Sequence, residues 1–160
     1  LKWFMNNIWG RMQKELPEIE LHIAGRNTPE WLKNIKKKNI IVHGEVEDAS
    51  EFINKHSIMI VPLLSGSGMR AKILEGMALG KVVLTTSIGL EGIDAKHEKE
   101  ILVGDNATEM VEAVKWCNSQ NGRLESMGHR ASDFVHHNYD SLQIARKVMK
   151  AYSTTSVEIV

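Results

Sequence analysis

Residues 57–87, SIMIVPLLSGSGMRAKILEGMALGKVVLTTS, constrain this chain more than any other stretch. An apolar run leads into a glycine-containing bend at Gly66 and Gly68, then a helical pattern over residues 70–79, a glycine at Gly80 and a second apolar run, KVVLTTS. Short runs that are apolar throughout predict strands buried on both faces, and Gly80 stands where a helix C-terminus needs a residue free to turn left-handed. Two such strands joined by a helix form a crossover unit, which pairs in parallel and is right-handed.

The rest of the chain repeats this alternation. ELHIAG predicts a strand ending in a turn at Gly25 and Arg26, Pro29 opens a short helix, and NIIVHG predicts the next strand. DASEFINKH reads as a helix capped by Asp48 or Ser50, and EILVGD as the last strand. Ahead of them, Trp3, Phe4, Ile8, Met12 and Leu16 trace one amphipathic helix stopped by Pro17, and from Asn106 onward NATEMVEAVKWCN, GRLESMGHRASDFVHH and SLQIARKVMKAY are helical. The expected fold class is α/β: a Rossmann-like parallel sheet with helices on both faces and a helical C-terminal tail, in one domain over residues 1–160.

Composition removes several classes of function. With 42% apolar and 25% charged residues the chain is an ordinary globular sequence. Lys plus Arg and Asp plus Glu number 20 each, so no overall positive field recruits nucleic acid, and an anion site has to be local. Lys36, Lys37 and Lys38 read as a solvated corner. Cys117 is the only cysteine, so an internal disulfide is ruled out, and a reducing cytoplasm is the simplest compartment. The seven histidines lack paired metal-ligand spacing, and no metal site is expected; His22 and His43 read as strand residues satisfied by neighbours. Trp3, Trp9, Trp31 and Trp116 read as packing residues.

The bend at Gly66 and Gly68 precedes a helix at the carboxyl end of a strand, where open parallel sheets bind ligands. The first amides of that helix, around Met69, Arg70 and Ala71, can face an anion. Arg70 and Lys72 put two cations where the helix dipole already disfavours them, which suggests that an anion offsets them. Glu75, one turn further, can accept two hydrogen bonds from a diol such as a ribose. The alternative from loop chemistry alone is an ordinary β–α turn with solvated basic residues. Two phosphate motifs fail: residues 76–81 have three residues between glycines where a Walker loop has four, and Val82 replaces its Ser/Thr. Gly66, Gly68 and Ala71 imitate a dinucleotide fingerprint, but after the wrong strand and without an acidic residue ending the next one.

On these residues the chain resembles the family-4-like, GT-B-fold retaining glycosyltransferases. The resemblance rests on Pro62, Gly66, Gly68, Arg70, Lys72, Glu75, Met77, Ala78 and Gly80, then Thr86, Gly89, Glu91 and Gly92, and extends to LPEIELHIAGR, NIIVHGEVED and EILVGDNATEMVEAV. It implies the donor half of an enzyme that transfers a hexose-like residue from a UDP- or GDP-sugar to a glycan or lipid-linked acceptor, with no cofactor. Within it, Glu75 would bond the ribose, Gly66, Ser67, Gly68, Met69, Arg70 and Ala71 would line the diphosphate, and Gly44, Glu45 and Val46 would border the base. Arg70 and Lys72 would stabilise the departing diphosphate. Many members carry a glutamate eight residues before the position of Glu75; Ser67 stands there, which leaves the sugar open.

Such enzymes have two Rossmann-like domains, so the resemblance implies an acceptor domain and a first strand that these 160 residues lack. It also implies a cytoplasmic protein, peripheral to the inner membrane face when whole. That first strand lies mid-sheet, so ELHIAG and SIMIVPL are expected either to pair directly or to be bridged by another chain, as in a swapped homo-oligomer. A binding module that kept the fold and lost catalysis is the competing class.

Overall fold

The computed structural model describes residues 1–65, 70–119 and 122–139. Gly66, Ser67, Gly68 and Met69 lie outside the described residues, as does the expected helix SLQIARKVMKAY. In chain order the elements are α1 (Lys2–Asn7), α2 (Trp9–Glu15), β1 (Leu21–Ala24), α3 (Glu30–Lys33), β2 (Ile40–Gly44), α4 (Ala49–Asn54), β3 (Ile58–Val61), α5 (Ala71–Ala78), β4 (Val82–Thr85), α6 (Ser87–Leu90), β5 (Leu102–Val103), α7 (Ala107–Asn118) and α8 (Arg123–Tyr139). Among the described residues, no helix is long and apolar enough to cross a membrane.

All pairings within the sheets are parallel. β4 is central and buried at all four positions, as its apolar run predicts. Its side chains alternate between two cores: Val82 and Leu84 join Phe4, Met5, Ile8, Trp9, Met12, Met110, Val111 and Val114 on one face, and Val83 joins Ile73, Met77, Ala131 and Val135 on the other. Helices therefore cover both faces of this sheet.

Three expectations need correction. Among the described residues the strands form two sheets rather than one, β1–β2 and β3–β4–β5, and of the two arrangements expected for β1 and β3, direct pairing does not occur. β3 is half-buried at every position, not fully buried like β4, because its second edge opens on the cleft that separates it from β1. The N-terminal helix is two helices, broken where Ile8 takes φ −120°. The apolar stripe survives the break, since Ile8 N–H still donates to Phe4 O and Ile8 O still accepts from Met12 N–H. Across that stripe Glu15 accepts hydrogen bonds from Lys115 and Arg11, which, with the charge of both, hold its carboxyl down at about 2.

Caps appear where the sequence places them. Asp48 Oδ1 accepts from the amides of Ser50 at 2.7 Å and Glu51 at 3.0 Å. Replacing an Asp cap removes bonds to otherwise orphaned amides at a cost of about 1 kcal/mol, so Asp48→Ala is expected to lower stability by about that amount in urea denaturation with an unchanged m-value. At the end of α5, Gly80 has φ +69°, its N–H donates to Met77 O, and Lys81 N–H donates to Gly76 O. This double bond pattern is the Schellman stop.

Candidate functional site

The site grows from the crossover unit β3–α5–β4. Two buried threonines at the end of β4 hold the chain as it leaves β3: Thr85 Oγ1 donates to Val61 O at 2.8 Å, and Thr86 Oγ1 donates to Leu63 O. Thr86 also caps α6 by accepting from Gly89 N–H. A side chain on Gly89 would place its Cβ 2.1 Å from Thr85 Oγ1, so this glycine is required by close approach. Glu91 and Gly92 form a turn, with Gly92 at φ +79°. Sequence reasoning missed the two threonines as loop anchors; their signal is a pair of hydroxyls closing an otherwise apolar strand.

The chain resumes at Arg70, the half-buried N-cap of α5. Side chains of Asp48, Thr86 and Asn106 cap α4, α6 and α7. At α5 the N-cap is Arg70, whose side chain makes no capping bond to the helix. The free amides of a first turn carry partial positive charge and are satisfied by caps, water or a ligand.

Lys72 and Glu75 come together on this turn, with Nζ 2.6 Å from Oε2; Lys72 is 64% exposed and Glu75 34%. The sequence places them as separate groups for phosphate and diol, whereas in the structure each is the other's partner. Such exposed pairs are worth about 0–1 kcal/mol, so incoming polar groups can separate them.

The carboxyl ends of three strands meet at the same place. Gly44 ends β2 at φ +73°, and Arg26, just beyond β1, donates to Glu45 at 2.7 Å. Arg26, Glu45, Val46, Pro62 and Lys72 all line one end of a cleft of about 1060 Å³. Arg26 was not singled out from the sequence, although a basic residue directly after a strand-ending glycine is a usable signal. Of the predicted residues, Glu45, Val46 and Lys72 line this cleft, Gly44 ends β2, Arg70, Ala71 and Glu75 lie on the first turns of α5, and Gly66, Ser67, Gly68 and Met69 lie outside the described residues.

Beside the cleft, histidines from β1, β2 and the loop between α4 and β3 meet. His22 Nε2 lies 3.3 Å from the Glu20 carboxylate, which can only accept while ionised, so in neutral His22 the hydrogen sits on Nε2 and Nδ1 accepts from His43 Nε2 at 3.0 Å. The His56 ring lies 4.3 Å from that of His22, and Phe52 packs edge-on to both His43 and His56. Burial, then the neighbouring His22 and His43, push the His56 pKa down from its usual value, with Lys81 and Lys55 adding to the effect. The unfolded chain therefore holds this proton more tightly, so stability is full above pH 6.5, the usual value, and is lost as pH falls through the depressed one. Thermal midpoints measured from pH 7.5 to 5 are expected to fall, and His56→Gln to flatten that slope. Among the described residues, no three His, Cys, Asp or Glu side chains are grouped to hold a metal. Burial pushes the Cys117 thiol up to about 11, which leaves it protonated and unreactive at neutral pH.

Residues 1–120 match a family model described as glycosyl transferases group 1. A protein of the cps region of Klebsiella pneumoniae, described as an uncharacterized 44.6 kDa protein, is 25% identical over 159 residues, 94% of this chain and 41% of that protein. Among solved structures, a glycosyltransferase from Rickettsia africae superposes with a TM-score of 0.73 at 18% identity, over 95% of this chain and 44% of its own. Anabaena HepE, solved in complex with UDP, superposes with a TM-score of 0.70 at 12% identity, over 87% of this chain and 42% of its own. The chain thus spans less than half the length of each, and at these identities the two structural likenesses speak for the fold.

Proposed function

This chain belongs to the group 1 glycosyl transferases, and on that premise we propose that it forms the donor-binding half of a nucleotide-sugar-dependent, retaining enzyme. The observation that carries the reading is the first turn of α5, which puts Lys72 and Glu75 together and sets Lys72 in the cleft lined by Glu45, Val46 and Pro62 at the carboxyl ends of β2 and β3. An anion at that turn meets the partial positive charge of the helix start and offsets Arg70 and Lys72. Those cations have their largest effect on the departing diphosphate, where negative charge develops as the glycosidic bond to the leaving group breaks. No step in this reading needs a metal or a covalent enzyme nucleophile; the acceptor hydroxyl attacks.

In the same reading, Glu75 exchanges Lys72 for the two hydroxyls of the nucleoside ribose, and Gly44, Glu45 and Val46 border the base. Gly66, Ser67, Gly68 and Met69 complete the diphosphate loop. UDP bound to HepE supports a uridine donor, with GDP as the alternative, and the cps-region relative supports a polysaccharide product. A glycan or lipid-linked acceptor then approaches from a second domain across the cleft, and the whole enzyme works in the cytoplasm at the inner membrane face.

Calorimetric titration with UDP and with GDP tests the donor assignment. Weak, saturable binding of one nucleotide is expected for the 160-residue chain, without sugar transfer, because half of the site belongs to the other domain. Failure of both nucleotides to bind, here and in the two-domain protein, would leave a binding module that merely shares the fold.

A further inference from the structure

We infer that His22, His43, Phe52 and His56 form a pH-sensitive clasp that holds α4 against β1 and β2, and that mild acidification releases α4 while the sheet β3–β4–β5 stays closed. The release itself stands apart from the donor-site reading; only its consequence for nucleotide binding rests on that reading.

The four rings come from different parts of the fold: His22 from β1, His43 from β2, Phe52 from α4 and His56 from the loop after it. The His22 ring stacks on that of His43 at 5.3 Å and 21°, and lies 4.3 Å from that of His56. Phe52 meets His43 edge-on at 5.2 Å and His56 at 4.7 Å. The rings therefore close a circuit in which β1 and β2 supply one side, and α4 with its outgoing loop supplies the other.

Beyond these rings α4 is lightly held. α5, α7 and α8 each bury apolar side chains, whereas α4 has no buried residue. The Asp48 cap and the Glu51–Lys55 pair at 2.7 Å lie within the α4 segment and do not tie it to the sheet. From outside, Lys81 Nζ donates to Asn54 O at 3.0 Å, and Ile53 faces the cleft. Segments with few buried apolar contacts open locally at a lower free energy than the whole molecule.

The clasp closes only while most of its histidines are neutral. One proton can be accommodated: His22 takes it at Nδ1 and donates to His43 Nε2, 3.0 Å away, with the Glu20 carboxylate 3.3 Å from His22 Nε2 as its counterion. A second proton, on His43 or His56, faces the charge on His22 across 5.3 Å or 4.3 Å between ring centres. Lys55 and Lys81 already add positive charge at His56, and Glu51 is engaged by Lys55. Like charges so close repel, and opening α4 separates the rings and returns them to water. Burial, then His22 and His43, lower the His56 pKa in the closed form, so the open form takes the proton more readily. Each histidine that must stay neutral when closed raises the open fraction about tenfold between pH 7.5 and 5.5, given the usual histidine pKa of about 6.5.

Release of α4 reaches the donor side of the cleft through the chain itself. Gly44 ends β2, and Glu45 and Val46 lead on to Asp48, the cap of α4. While α4 is clasped this loop is fixed at both ends. Once α4 is free the second end is loose, and the residues proposed to border the base lose their fixed position. Nucleotide affinity is therefore expected to fall as α4 opens.

Hydrogen–deuterium exchange on the 160-residue chain at pH 7.5 and 5.5, corrected for the intrinsic pH dependence of amide exchange, provides the test. Protection of Ala49–Asn54 is expected to fall about tenfold or more, and at pH 5.5 that of Val82–Thr85 to stay about a hundredfold or more above it. His56→Phe keeps a ring between His22 and Phe52 and removes the proton site; in it the fall at Ala49–Asn54 is expected to stay below about threefold. The ring signals of His56 in the native chain, followed by NMR over the same range, are expected to share their midpoint with the loss of α4 protection, a readout that needs no variant. The inference fails if α4 keeps its protection, if Val82–Thr85 is as unprotected as α4 at pH 5.5, if His56→Phe shows the native fall, or if the two midpoints separate. UDP-glucose, whose diphosphate has no group titrating in this range, reads the consequence by calorimetry: its affinity is expected to weaken by about threefold or more at pH 5.5 in the native chain and to hold in His56→Phe. Equal affinity at both pH values with α4 released overturns the coupling to the base. Absence of binding at either pH counts against the donor-site reading, whereas the clasp stands or falls on the exchange result.

Discussion

Glu75→Ala is expected to weaken UDP or GDP binding by at least tenfold in calorimetry, with almost no change in the thermal midpoint of the ligand-free protein. The affinity loss follows from the proposed ribose contact: hydrogen bonds to a charged group contribute about 1.5–3 kcal/mol each, and about 1.4 kcal/mol is a factor of ten. The stability stays level because the bond lost without ligand is the exposed pair with Lys72 on α5, worth about 0–1 kcal/mol. Two comparisons make the result specific. Glu75→Ala should weaken uridine and UDP alike, because both carry the ribose. Lys72→Ala should weaken UDP and leave uridine unaffected, because only UDP carries the diphosphate. If Glu75→Ala leaves UDP affinity unchanged, the diol has another acceptor and the proposed orientation of the nucleotide is wrong.

Gly128→Ala is expected to destabilise the protein by about 1–3 kcal/mol, the range for forcing an extra carbon into a packed contact. Gly128 lies on α8, where a Cβ would sit 2.0 Å from the carbonyl oxygen of Gly80 and 3.0 Å from its carbon. Those are backbone atoms of the turn that ends α5, so neither can swing aside as a side chain would. Alanine's better helix propensity, about 1 kcal/mol over glycine, offsets only part of the clash. Gly10 on α2 provides the control, because its Cβ would meet nothing within 4 Å. There the same substitution should raise stability by up to about 1 kcal/mol. In a chain of this size each kcal/mol moves the thermal midpoint by about 2–4 °C, so the two alanine variants should shift in opposite directions by a readily measured amount. A rise for Gly128→Ala would mean that α8 can retreat from Gly80 at little cost.

Most of the local structure was legible because it depends on neighbours in sequence. Asp48, Asn106 and Gly80 mark helix ends through bonds to amides and carbonyls within a few residues. The run VVLT announced its own burial, and the spacing of Trp3, Phe4, Ile8, Met12 and Leu16 held its stripe even where Ile8 breaks the helix. The glycines divide by the reason each is needed. Gly44, Gly80 and Gly92 take positive φ, a property of the turn itself, and Gly89 is crowded by Thr85 and Thr86 within its own turn, whereas Gly128 is required by close approach of the distant Gly80, which no local pattern reveals.

The candidate site divides along the same line. The order strand, glycine bend, basic helix start and Glu75 could be read directly, and so could the family resemblance, which the match over residues 1–120 bears out at the level of the group 1 glycosyl transferases. The mutual pairing of Lys72 and Glu75, the threonine anchors and the position of Arg26 could not. They depend on side-chain directions and on which strand ends lie side by side.

The amino-acid order alone determined the class of fold, the places where helices start and stop, and the polar residue types carried by the first turns of α5, because hydrophobic period and backbone preference act over a few residues. Only the tertiary structure decided that β1 and β3 stand apart, that His22, His43 and His56 meet, and that three strand ends share one cleft. Strand pairing is a competition among distant edges, and a strand as apolar as β3 specifies that it needs neighbours without specifying which.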